Sequence, residues 1–305
     1  MLRKIRSTVR KSLDTLAEWR YAFLKKSTGL DLVFIHHSCG KNWLRQGLRS
    51  ALFAKPYIRR IKEIEYGSVL TPDPGRPDSL GPVPGGRTNM NHWLFWFNDY
   101  LDGVLHYPNP DGKNRIILFK SCFPISNIED EGDGPGDPFS VRQILANYQS
   151  IYRNAMDPAG EYSFSNYSYK PLEKIFAGNP DILFIAVTAP PRHYAPMEGT
   201  NDEEARRARR FNQWLKTEWL ESYHQTRPGL RNVAVFDWFD CLAYPDDHST
   251  HPNRLRSEYG GEAGDSHPHR TANHQTAGIF SDFLDAILSE WTGFHAEERV
   301  KALQG

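Results

Sequence analysis

The chain has 305 residues, 37 basic and 37 acidic, so its formal charge balances and gives no global reason to expect a nucleic acid or an anionic membrane as partner. That length holds one large domain or two small ones with a sizeable core. Three widely spaced cysteines, Cys39, Cys122 and Cys241, make neither a disulfide framework nor a C-x-x-C metal pair, and free thiols fit a reducing, cytoplasmic setting.

Residues Met1 to about Lys26 read as a helix, because Leu2, Ile5, Val9, Leu13, Leu16 and Trp19 recur at three- and four-residue intervals. Lys and Arg dominate its other face. Such a helix makes weak contact with a membrane surface or packs on the domain as an extension. It lacks the apolar stretch of a secretory signal, and no run of about eighteen apolar residues predicts a spanning helix. Asp31-Leu-Val-Phe-Ile35 is a buried strand that stops abruptly at His36-His37-Ser38-Cys39-Gly40, a tight polar turn. A helix is expected over 42–53. A second strand, 61–67, ends in Gly67. Residues 71–87, rich in proline and glycine, form a loop over the strand ends. Residues 91–105 are aromatic and helical in pattern. A third strand, 115–119, runs on through Lys120 to Asn127. The acidic loop 129–137 precedes a helix at 143–154. A strand at 181–188, a charged helix at 203–223, a strand at 232–237 and a closing helix at 276–291 complete the chain.

Strands alternating with helices predict a three-layer α/β/α sandwich around a mostly parallel five-stranded sheet of flavodoxin-like type. The domain spans 29–295, between a helical extension at 1–28 and a tail at 296–305. Right-handed crossovers gather the five strand ends at one edge, where open α/β sheets bind ligands. Ser38, Gly67, Asn127, Pro190-Pro191 and the segment after Asp237 fall there.

Ser38 is a hydroxyl beside backbone N–H groups, which suits attack on a carbonyl. A serine needs a histidine to take its proton and a carboxylate to orient that histidine. Gly264-Asp-Ser-His-Pro-His-Arg-Thr-Ala-Asn-His-Gln-Thr-Ala277 offers Asp265 and His267 on one loop. The competing reading is zinc on His267, His269 and His274, but these lack the usual helical ligand pair.

In this order of motifs the chain resembles the SGNH hydrolase superfamily, the GDSL-like lipases, esterases and carbohydrate acetylesterases, over about residues 30–290. The resemblance implies Ser38 as nucleophile, His267 as base, Asp265 as orienting acid, and an oxyanion hole from the Ser38 and Gly67 N–H groups and the Asn127 amide. It implies hydrolysis of an ester, such as an O-acetyl group on a carbohydrate, through an acyl-enzyme without metal or cofactor. The alternative is a non-catalytic binding module, or a polysaccharide-modifying partner, of the same fold. Three blocks depart from the family pattern. His36-His37 replaces Gly-Asp, Phe123-Pro-Ile-Ser-Asn127 replaces Gly-x-Asn-Asp, and Asp265-x-His267 is one residue short, which leaves Glu262 open as acid and His269 as base. A literal Gly264-Asp-Ser266 is a decoy, having no strand before it. So is Ser38-Cys-Gly-Lys41, an S-x-x-K without its companion K-T-G. Cys39 and Cys122 are alternative nucleophiles if a neighbour depresses a thiol pKa. The acidic loop lacks regular calcium-ligand spacing.

Overall fold

Leu30–His36 (β1) is buried along its whole length, as are Ile116–Lys120 (β3), Leu183–Val187 (β4) and Val233–Phe236 (β5), which is what strands covered on both faces require. Ile58–Glu65 (β2) is half-buried, as suits an edge. The structure, a computed structural model, describes residues 29–66, 70, 73, 89–108, 112–195 and 201–291. The basic N-terminal helix, Gly67, most of the proline-rich stretch and the 296–305 tail lie outside the described residues. Among those described, no helix is long and apolar enough to cross a membrane.

The five strands pair in parallel in the order β2-β1-β3-β4-β5. The chain steps one way from β1 to β2, then back across β1 to β3. With crossovers of one hand, that reversal puts the helices on opposite faces. Accordingly Ser38–Trp43 (α1) and Arg49–Ala54 (α2) pack on one face, through Trp43, Leu48 and Leu52 against Leu32 and Phe34. His92–Asp99 (α3), Leu101–His106 (α4), Leu145–Tyr152 (α5), Leu172–Ala177 (α6), Asp202–Trp214 (α7) and Leu220–Thr226 (α8) cover the other, against Val33 and Ile35. Trp238–Leu242 (α9) and Arg270–Glu290 (α10) return to the first face. This is the expected three-layer sandwich.

Two rigid contacts matter for the site. Trp43 of α1 stacks on Trp238 of α9 with centroids 4.7 Å apart and meets Phe280 of α10 edge-on at 5.4 Å. The segment between α1 and α2 kinks at Gln46 and Gly47, the latter at φ +151°, and α10 fits against it. A Cβ at Gly47 would sit 3.2 Å from the His274 backbone, and the Asn273 amide donates to Gln46 Oε1 at 2.9 Å. Thus α1, which carries Ser38, and α10, which follows His267, are fixed to each other.

Several expected boundaries move. The first helix starts at Ser38 rather than 42, since Cys39 and Trp43 already face the core. The closing helix starts at Arg270 rather than 276; its first inward residues are Ala272, Asn273 and Thr276, too small or polar to show an apolar stripe. A hairpin (Tyr162–Phe164 with Tyr167–Tyr169), α6 and α9 lie where no element was expected. Three-residue strands are too short to display alternation.

Burial pushes the imidazoles of His36 and His92 down to about 4. An unfolded histidine titrates near ~6.5, so between these values the unfolded chain holds the extra protons. Stability should therefore be complete above ~6.5 and decline as pH falls toward 4, by on the order of 2 kcal/mol per histidine at about pH 5. Urea melts at about pH 7.5 and about pH 5 check this, and coincident midpoints would refute it.

Candidate active site

The order β2-β1-β3 puts a topological switch point between β1 and β3, the crevice where sheets of this kind bind ligands. Ser38 opens α1 immediately beyond β1, and Cys122 lies just beyond β3. Glycine at position 40 is what lets α1 start so tightly: a Cβ there would lie 2.4 Å from the Cβ of His36. The apolar strand, the polar stop and the small residue thus act together to put the Ser38 hydroxyl at the sheet edge.

The loop before α10 arrives from the other side. Gly260, at φ +110°, and Gly261, where a Cβ would meet the Leu255 carbonyl, allow the turn. Ser266 is buried and accepts from the His193 N–H at 3.1 Å. The His269 N–H donates to the Tyr259 carbonyl at 2.8 Å. Between these two anchors His267 is held over Ser38.

Ser38 Oγ lies 2.7 Å from His267 Nε2, and His267 Nδ1 lies 2.5 Å from Asp265 Oδ1. The same carboxylate oxygen accepts the His267 backbone N–H at 3.1 Å. The ring of Phe123 packs edge-on to His267 at 5.2 Å. The His267 side chain is 28% exposed and Asp265 62%. A hydroxyl, an imidazole and a carboxylate in this line can pass a proton from oxygen to nitrogen while the carboxylate holds the ring tautomer.

Two further groups crowd the hydroxyl. His37 Nδ1 is 3.1 Å from Ser38 Oγ, and Cys122 Sγ is 3.7 Å from it. Cys122 lies 3.3 Å from Cys39 Sγ. The hydrogen bond with Cys39 and the buried Lys120 ammonium hold the Cys122 thiol below its ordinary range, while burial pushes Cys39 above it. Lys120 itself donates to the Ser121 carbonyl at 2.6 Å and sits 5.0 Å from the Trp238 ring.

Ser38, Asp265 and His267 are therefore brought together. Asn127 is half-buried, seven residues beyond β3, and its Oδ1 accepts from Arg192 Nη1 at 3.5 Å. Its loop is held by Gln143, whose amide, turned toward it, donates to the carbonyls of Pro124 and Asn127. Gly67 is outside the described residues. Of the open alternatives, Glu262 faces the Tyr194 phenol, and His269 packs over Gly260. The three histidines of the zinc reading have separate neighbours: Ser38 for His267, Gly260 for His269 and Gly47 for His274. Among the described residues no group of three or more His, Cys, Asp or Glu converges as a metal site. Lys41 of the S-x-x-K decoy pairs with Glu65 at 2.8 Å. In the acidic loop Glu131 pairs with Arg207 and Arg210. Phe123 and the ring of His37 escaped the sequence reading; neither belongs to a periodic pattern, and only the fold brings them to Ser38.

No family model matches the chain, and no curated protein matches it. Among solved structures it is similar to a crystal structure from Bacteroides fragilis described as a "putative acylhydrolase", with 13% identity, 88% of this chain and 92% of that one covered, and a TM-score of 0.41.

Proposed function

We propose that the protein is a serine hydrolase of SGNH type that cleaves an ester through an acyl-enzyme. The observation that carries this is the continuous line from Ser38 Oγ through His267 to Asp265, at 2.7 and 2.5 Å, at the switch point of the sheet. Ser38 Oγ attacks the ester carbonyl as its proton passes to His267 Nε2. Asp265 keeps the proton on Nδ1, so Nε2 is the acceptor. The tetrahedral oxyanion takes hydrogen bonds from the Ser38 N–H and from Asn127, and the family resemblance adds the Gly67 N–H as a third donor. Arg192 engages the Asn127 oxygen, which leaves the amide nitrogen as the end to face the oxyanion. His267 then protonates the departing alcohol, and water attacks the acyl-serine by the same route.

The chemistry so described calls for no metal or cofactor. The substrate class to try first is an O-acetyl group on a carbohydrate, which the family resemblance suggests. A fluorophosphonate probe tests the reading, because it needs a serine activated by a base. It should label one site, on the peptide carrying Ser38. Labelling on Ser266 instead, or none in folded protein, would sink the proposal.

A further inference from the structure

We propose that Cys39 and Cys122 are a modification site: a thiol pair that closes to an intramolecular disulfide under peroxide. The two sulfurs, one on α1 and one just past β3, lie 3.3 Å apart. A disulfide bond measures ~2.05 Å, so closure needs a movement of about 1.2 Å, within reach of small side-chain rotations. Neither cysteine is in a disulfide, and both are buried, 0% and 2% exposed.

Burial alone makes a thiol inert, and it is the asymmetry of this pair that makes it reactive. Cys39 and Cys122 share a hydrogen bond at 3.3 Å, and that bond with the nearby Lys120 ammonium favours negative charge on Cys122, while burial keeps Cys39 protonated. Access runs past Ser38, a half-buried residue whose hydroxyl is 3.7 Å from Cys122 Sγ. The Cys122 thiolate attacks one oxygen of hydrogen peroxide, breaking the O–O bond and giving Cys122 sulfenic acid and hydroxide. The Cys39 sulfur then attacks the Cys122 sulfur. Water leaves with the Cys39 proton, and the S–S bond forms. Two electrons pass from the pair to peroxide. Cys241 is the internal control: half-buried on α9, its thiol is pushed up to about 11 by burial and by Asp237 and Asp240.

The experiment uses the reduced full chain, freed of reductant and treated with a small excess of hydrogen peroxide. Remaining thiols are blocked with N-ethylmaleimide, and the protein is digested without reduction. The expected product joins the peptides carrying Cys39 and Cys122, is lighter by two hydrogens than their sum, and separates with dithiothreitol. Cys241 should remain blocked by maleimide. In both Cys39→Ala and Cys39→Ser, Cys122 should instead be trapped as a dimedone adduct of its sulfenic acid. Wild-type protein in which Cys39 and Cys122 stay open to maleimide after peroxide would overturn the proposal. So would oxidation of Cys122 to sulfinic acid with Cys39 still free. Peptide mapping needs no substrate, so this result stands whatever role Ser38 has.

Discussion

Replacing Ser38 with alanine should lower kcat on an activated acetyl ester by about 10³-fold or more, because members of a nucleophile–base–acid unit act together and losing one forfeits the covalent route. The fold should survive. Ser38 is the first residue of α1, no side-chain cap hydrogen bond is made at that helix start, and Gly40 and Trp43 supply the packing. The far-ultraviolet circular dichroism and melting temperature of Ser38→Ala should therefore match wild type. Ser266→Ala should behave in the opposite way. Its hydroxyl is buried and accepts the His193 N–H, so the change removes that hydrogen bond and costs about 1–3 kcal/mol of stability. Turnover of the folded fraction should fall far less than in Ser38→Ala, because the second anchor, the His269 N–H on the Tyr259 carbonyl, still holds the loop. Initial rates and melts on the two variants decide between the serines. A large kcat loss in Ser266→Ala with Ser38→Ala unaffected would make the literal Gly-Asp-Ser the working motif.

What made Ser38 legible was contrast: four apolar residues, Leu32 to Ile35, stop at two histidines, a serine, a cysteine and a glycine, and a buried strand has few other reasons to stop that way. The parallel sheet was legible for the same reason, since β4 and β5 are apolar throughout and β1 and β3 are interrupted only by Asp31, His36 and Lys120. Asp265 and His267 were legible as residue types, but their spacing left Glu262 and His269 open. In the structure a two-residue step brings the carboxylate to the ring. One oxygen of Asp265 accepts both the backbone N–H and the ring N–H of His267, so the carboxylate closes a turn on that histidine. Other features depend on pairings distant in sequence. The approach of Cys39 to Cys122 spans β1 and β3. The Phe123 ring meets His267 only after α10 docks on the Gly47 kink, and a positive φ leaves no mark beyond the glycine itself. The Asn127 to Arg192 contact joins the ends of β3 and β4, which no local pattern announces.

His267→Ala should be nearly as damaging as loss of Ser38, about 10³-fold in kcat, while His269→Ala should leave turnover within a few-fold of wild type. His267 is the imidazole on the hydroxyl, whereas His269 sits at the start of α10 with its ring over Gly260. A second imidazole, His37, also touches Ser38 Oγ, at 3.1 Å through Nδ1. Any residual activity of His267→Ala that vanishes in the His37→Phe double variant would come from that ring. Asp265→Asn should cost less than His267→Ala, about 10²-fold. The asparagine still caps the turn but no longer steadies the positively charged ring, and the site is 62% exposed, so water screens part of that charge. Glu262→Gln should change kcat by less than a factor of a few. Rates at acid pH must be normalised to folded protein, because His36 and His92 weaken the fold as pH falls toward 4. Steady-state kinetics on these four single variants separate the assignments. If His269→Ala abolishes turnover while His267→Ala spares it, the base lies two residues later in the loop. If Glu262→Gln is the costly carboxylate change, the short Asp265-x-His267 spacing is a turn contact alone.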